Sequence, residues 1–249
     1  MIIINADDWG RSRVETDAAK ACFDQGRITS VSAMVFMDDS ERAAELAKGC
    51  GLDVGLHVNL SQRFTVNGGP TNLTEHHAAV VNFLTRNKYT LLFYHPRLRE
   101  SFRYVYEAQA EEFERLYGCK PSHIDGHQHK HLCTNMLLDG ILPAGELVRR
   151  SFTFQSHEKS WLNRTYRNWV DQKLAARHRL TDFFFSLSRS LQMKSLDRVF
   201  QLAGAANVEL MTHPANQHEF AYLQSDECAQ ALTPLSKGGF DRMVSAAKN

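Results

Sequence analysis

Two adjacent carboxylates, Asp7 and Asp8, stand directly after the apolar opening run of MIIINADDWG. Similar polar clusters recur along the chain: His57 in GLHVNL, then Asp125, His127, His129 and His131 in HIDGHQHKH, and His213 in ELMTHP. Two carboxylates at the mouth of a buried strand repel each other, and desolvation drives at least one towards its neutral form. A divalent cation removes that conflict by supplying the countercharge. Helix capping, the ordinary role for an aspartate after a strand, already has a candidate in Ser12 of the S-x-x-E box Ser12–Glu15. A lone histidine in a strand is ordinarily a hydrogen-bonded core residue, so the clustering carries the signal. Of 12 histidines, six fall in or beside these clusters, His123 being the sixth. In an extended chain His123, Asp125 and His127 share one face, and Gly126 permits close backbone approach. One carboxylate and two imidazoles from this set can hold a metal with positions open for water and substrate, as catalytic zinc sites do. Mn²⁺ or Fe²⁺ suits the same donors, and Mg²⁺ with more waters, although imidazole is a poor Mg²⁺ ligand. The donor chemistry favours zinc. No G-x-S-x-G elbow and no phosphate-cradling glycine loop occurs.

Elements that position these residues can be read from hydrophobic patterning. Ile2–Asn5 is a strand buried on both faces, followed by a helix that Ser12 opens and Gly26 stops. Ser30–Phe36 predicts a second strand, DSERAAELAKG a helix ending at Gly49, and Leu52–Leu60 a third strand carrying His57. That order, β-α-β-α-β, marks a parallel sheet covered by helices. Residues 61–77 read as a loop after a strand, where α/β enzymes place substrate contacts. Helices are expected at Ala78–Asn87, Pro96–Tyr117 (stopped by Gly118), Trp161–Arg179, Ser195–Ala203 and Asp226–Leu232. Strands are expected at the start of PSHIDGHQHKH, at the end of ELVRRSFTF, and over Ala206–Pro214. The polar clusters then all lie at the C-terminal ends of parallel strands, where such folds assemble active sites. No repeat or linker divides the chain, so residues 1–249 are expected to form one domain.

Composition narrows the function classes. Hydrophobic residues make up 43% and charged residues 23%, with a net charge of +1. No overall basic excess points to nucleic acid or an acidic membrane. Arg97, Arg99 and Arg103, on one helical stretch, read as a solvated helix face. Five dispersed cysteines without a C-x-x-C pair suit a reducing compartment. With no signal-peptide pattern and no membrane-spanning run, a cytoplasmic protein is expected; a homo-oligomer is compatible with the sequence.

NADDWG, GLHVNL, HIDGHQHKH and ELMTHP, in this order, resemble the four motifs of the YdjC-like carbohydrate deacetylases, the group of chitooligosaccharide deacetylases and hopanoid-associated HpnK proteins. The resemblance covers about residues 1–215, and RRSFTF is similar too. It implies a TIM-like, partly irregular (β/α) barrel. It also implies that Asp8, His57 and His127 bind one divalent metal, Asp7 is the general base, and the late His-Pro motif supplies His213. The family's metal is usually magnesium, so Mg²⁺ and Zn²⁺ both stand. Trp9, Gly126 and Thr212 depart from the usual residues without removing a ligand, and loop 63–77 matches nothing in the pattern.

The implied reaction is hydrolysis of an N-acetyl or other N-acyl group on an amino sugar, oligosaccharide or glycolipid. Asp7 would take a proton from water, His213 would protonate the leaving amine, and Asp125, with His129 and His131 nearby, would orient an imidazole or contact substrate. Trp9, Phe64, Phe152 and Trp161 are candidates for stacking on sugars, with core packing the more ordinary role. Two other classes share such a mouth: a metal-dependent phosphoesterase, which ordinarily needs two ions, and a non-catalytic metal- or sugar-binding relative.

Overall fold

The computed structural model describes residues 1–66, 72–154 and 160–243. The opening apolar run forms β1 (Ile2–Trp9), buried along its whole length. Burial of that kind requires cover on both faces. Helix α1 (Arg13–Asp24) supplies part of it; its N-cap Ser12 accepts the Val14 N–H, and the chain leaves it through Gly26 at φ +65°. Then come β2 (Ser30–Ala33), α2 (Ser40–Ala47) and β3 (Asp53–Val58), in the expected alternation.

Two antiparallel helices follow β3: α3 (Leu73–Thr85) and α4 (Arg99–Tyr117), the latter closed by Gly118 in the left-handed region at φ +68°. Pro96–Leu98 is a separate 3₁₀ turn rather than the start of α4. Helix α3 starts five residues earlier than the patterning predicts, so the expected 61–77 loop ends in helix; residues 67–71 of it lie outside the described residues. The chain continues through β4 (Ile124–Gly126), α5 (Thr134–Leu138), α6 (Trp161–Ala175), β5 (Phe183–Ser186), α7 (Leu187–Gln192), α8 (Leu196–Ala203), β6 (Val208–Thr212), α9 (Gln217–Gln224) and α10 (Asp226–Leu232).

Among the described residues the six strands are all parallel, in the order β4-β3-β2-β1-β6-β5. This is a curled partial barrel, a coarser match to the expected TIM-like architecture than a full eight-stranded ring. The segment ELVRRSFTF forms no regular strand. Instead, Ile124 bridges Val148 and Leu147 bridges Arg179 as isolated parallel pairs, and Thr153 N–H bonds Phe184 O. Residues 147–153 therefore cross the gap between the two sheet edges. Their importance lies in where this puts Arg149.

Alternation along β1 points Ile3, Asn5 and Asp7 to the inside of the curl. Ile3 packs with Leu147, Phe240 and Met243 in a small inner cluster, while the larger core, including Ile2, Ile4, Val31, Leu56 and Leu210, lies under the helices. Among the described residues no helix is long and apolar enough to cross a membrane. All five cysteines are free thiols.

Candidate active site

Adjacent strand residues point to opposite faces, yet Asp7 and Asp8 each lie in a compact group with His57. The reason is a register shift in β1 between Ala6 and Trp9, opposite β2. Asp8 takes φ +67° there, a left-handed conformation that costs a non-glycine residue about 1–2 kcal/mol. Bulges of this kind re-aim side chains beside active sites.

Asp8 faces two imidazoles. Its Oδ1 lies 2.9 Å from His127 Nδ1 and 3.4 Å from His57 Nε2. All three side chains are buried, and their donor atoms lie within 4.8 Å of one another. His57 is placed by strand register: β3 and β4 align it with Asp125, and its Nδ1–H donates to Asp125 Oδ1 at 2.7 Å. That bond leaves Nε2 facing Asp8. A carboxylate behind a histidine is the usual outer support of a metal-ligating imidazole.

His127 follows β4, where Gly126 brings the backbone against His131; a Cβ on Gly126 would lie 2.9 Å from His131 Cβ. Gln128 and His129 both adopt positive φ. The chain thus turns sharply after His127, and His129 and His131 leave the ligand group. Burial pushes the His131 pKa down to about 4, and its Nε2–H donates to Arg149 O at 3.1 Å. Burial, reinforced by the Arg149 charge, lowers His129 to about 3; its ring meets Phe152 edge-on at 4.6 Å. His123 shares the inner face with Asp125: its Nε2 lies 3.0 Å from Ser32 Oγ, and Ser32 Oγ–H can donate to Asp125 Oδ2 at 2.8 Å. His123 also stacks on Phe240 at 3.8 Å, which makes it a core residue.

At the centre lies Arg149, which sequence patterning does not single out. It is 1% exposed. Its Nη1 and Nη2 donate to the two Asp7 oxygens at 2.8 and 2.6 Å. Nη1 also lies 2.7 Å from Asp125 Oδ2, and Nε donates to Glu209 Oε1 at 2.6 Å. The guanidinium rests 4.9 Å from the Phe184 ring centre. Burial would raise the Asp7 pKa, but the charges of Arg149 and His57 outweigh it, against the opposing field of Asp125, and keep the carboxyl ionised. Glu209 goes the other way: burial outweighs its share of Arg149 and lifts its pKa to about 7. The detectable trace of both residues in the sequence is a charge inside an apolar strand pattern, LVRR and NVELM.

Among the described residues, buried acids outnumber buried permanent cations here: Asp7, Asp125 and Glu209 share the buried guanidinium of Arg149, while Asp8 pairs at 3.3 Å with the partly exposed Arg11. Burial opposes charge on His57, yet Asp125 and Asp7 raise its pKa to about 10. A field that favours an imidazolium there favours a divalent cation at the same place, and the donor set of one carboxylate and two imidazoles fits one. A second grouping, Asp7, His57 and Asp125, is equally compact. Its two carboxylates are already tied to Arg149, however, so a cation there would sit against the guanidinium.

His213 follows β6, whose register sets Thr212 beside Ala6 of β1, so it leaves the sheet at the strand end where β1 carries Asp7. Its backbone N–H donates to Glu219 Oε2 at 2.7 Å, and Thr212 Oγ–H donates to the same oxygen at 2.6 Å. Among the described residues its imidazole makes no hydrogen bond. Of the candidate sugar-stacking rings, Trp9 is fully buried, Phe64 stacks on His77 and Phe152 on Phe184, while Trp161 is exposed.

The family model for YdjC-like proteins matches residues 1–233. The chain belongs to the YdjC-like family. It is 29% identical to a protein of Proteus mirabilis named chitooligosaccharide deacetylase, over 94% of this chain and 88% of that one. It is 33% identical to a mouse protein named carbohydrate deacetylase, over 53% of this YdjC-like chain and 43% of the mouse protein. A crystal structure from Enterococcus faecalis V583, of a protein assigned a tentative role in cellobiose-phosphate cleavage, aligns with a TM-score of 0.67 at 19% identity over 98% of both chains. That last likeness concerns the fold alone.

Proposed function

We propose that this YdjC-like protein is a metal-dependent hydrolase that removes an N-acetyl or other N-acyl group from an amino sugar. The observation that carries the reading is the Asp8–His57–His127 group with a second, ionised carboxylate, Asp7, held beside it by Arg149. The names of the Proteus mirabilis and mouse relatives point to the same class of substrate.

Asp8, His57 and His127 would hold the metal, whose chemistry is to acidify a water and polarise the acyl carbonyl. Asp125 orients His57. Asp7 accepts the proton of the attacking water; Arg149 keeps it deprotonated and fixes both its oxygens, so a low intrinsic basicity is offset by orientation. His213, just past the end of the neighbouring strand β6, donates a proton to the nitrogen of the departing amine. Glu219 fixes the backbone from which His213 projects. The acyl C–N bond breaks, releasing the carboxylate and the free amino sugar.

A phosphoesterase working through two ions fits less well, because Arg149 occupies the carboxylates of the second grouping. The reading is tested by acetate release from N-acetylated chito-oligosaccharides after loading with Zn²⁺ or Mg²⁺. Release by the wild type, lost in Asp7→Asn with metal content unchanged, is the expected result. Full activity in Asp7→Asn would remove the base, and binding of sugar without release in the wild type would favour a non-catalytic relative.

A further inference from the structure

Between α3 and α4 the chain reads RNKYTLLFYHPRLRESFR, Arg86 to Arg103. Arg86, Lys88, Arg97, Arg99 and Arg103 face one acid, Glu100, a local net charge of +4 in a chain whose total is +1. Whole-chain charge hides this segment. Its apolar side chains are not in the core: Tyr89 is 56% exposed, Phe93 64% and Leu92 44%, with Tyr94 exposed beside them. Arg86, Lys88, Arg97 and Arg99 are exposed too. From the neighbouring elements, among the described residues, one further acid, Asp139, reaches the segment, accepting the Tyr94 hydroxyl at 2.9 Å and pairing with Arg99 at 3.3 Å. The positive excess survives both acids.

The segment crests the same sheet edge as the candidate site. Gln109 of α4 bonds both backbone groups of Asn59, just past the end of β3, at 2.7 and 3.2 Å. Helix α4 runs from there down to the start of β4, so its first ten residues project about 15 Å beyond the sheet at 1.5 Å per residue. The crest is tied to the turn that carries His127. Lys130 Nζ donates to Leu84 O, Thr134 Oγ–H to Leu91 O, and the His95 N–H to Asn135 Oδ1, at 3.2, 3.0 and 2.9 Å.

We infer that this crest docks on an anionic phospholipid surface and seats the mouth of the site against it. Tyrosine and phenylalanine flanked by lysine and arginine are the side chains that settle at the level of lipid head groups. Each basic residue near an anionic leaflet strengthens binding by roughly fivefold. A two-fold dimer through the same crest would bring two such positive faces together, so charge complementarity selects the lipid over a second copy. The inference does not depend on the reaction at the site.

The test is co-sedimentation of the full chain with vesicles of phosphatidylcholine alone and of equal parts phosphatidylcholine and phosphatidylglycerol. The wild type is expected to pellet with the mixed vesicles at low salt and to be released at high salt. Tyr89→Ser/Phe93→Ser and Arg86→Glu/Lys88→Glu/Arg97→Glu, each with a wild-type thermal transition, are expected to stay in solution. For the charge reversal the loss is about a hundredfold or more. Asp7→Asn should pellet as the wild type does, which separates docking from catalysis. A wild type that stays in solution with the mixed vesicles overturns the inference, as do both variants pelleting normally. A dimer that Tyr89→Ser/Phe93→Ser dissolves, without vesicle binding by the wild type, assigns the crest to a second copy instead.

Discussion

Arg149 grips both oxygens of Asp7 from across the curl of the sheet, at 2.8 and 2.6 Å. The two residues are 142 positions apart, and the contact exists because residues 147–153 cross the gap between the sheet edges. The same guanidinium serves Asp125 and Glu209, so one side chain ties together carboxyl groups from β1, β4 and β6.

Removing it should be costly. Breaking a buried charge network by deleting one partner typically destabilises by about 3–5 kcal/mol. Arg149→Met is expected to lose about that much in urea denaturation, even though methionine keeps much of the packing volume. A loss below about 1 kcal/mol, the range of a surface pair, would show that the network contributes little to folding.

Glu209 predicts a pH dependence. Its folded pKa is about 7, raised from 4.5 mainly by burial. A raised acid pKa means that the folded state holds the proton more tightly. The stability this contributes is complete below pH 4.5 and is lost as pH rises through about 7. Comparing Glu209→Gln with the wild type should therefore reveal a component that declines over that interval in the wild type alone. Parallel stability curves for the two proteins would argue against proton uptake at Glu209.

Asp125 should matter to metal binding without touching the ion. Support of this type is typically worth about 10–100-fold in affinity, and Asp125→Asn is expected to weaken Zn²⁺ binding by that factor in calorimetric titration. Asp8→Ala and His57→Ala should abolish it. Equal affinity in Asp125→Asn and the wild type would deny Asp125 its orienting role.

Gly55 predicts a steric effect at a distance. A Cβ there would stand 2.2 Å from His123 Cε1, and His123 is held between Ser32 and Phe240. Gly55→Ala is expected to cost about 1–3 kcal/mol, the usual range for overpacking, and to disturb the β3–β4 seam that aligns His57 with Asp125. Chemical denaturation measures the first effect and zinc content the second.

Local signals in the sequence reported local structure faithfully. Ser12, Gly26 and Gly118 mark helix ends because capping and left-handed φ depend on a few neighbouring residues. The apolar runs at β1, β3 and β6 report strands for the same reason, and the four histidine and aspartate clusters report the strand ends at which they sit. Strand β5 escapes notice because Phe183–Phe185 is too short a run to establish a period. The expected strand in ELVRRSFTF becomes a set of single bridges, since its partners are set by the curl of the sheet.

Which residues meet was decided only by the tertiary structure. No spacing shows that Asp8 adopts φ +67° and turns to the side of Asp7; that follows from the register between β1 and β2. His123, His129 and His131 are indistinguishable from His127 as a pattern, yet the turn after Gly126 gives the position beside Asp8 to His127. Arg149, within the family-like RRSFTF, and Glu209 show in periodicity only as charges within apolar runs, and their partners lie on strands distant along the chain. Periodicity records how a segment meets the core, whereas the neighbours of a buried charge depend on strand order and register.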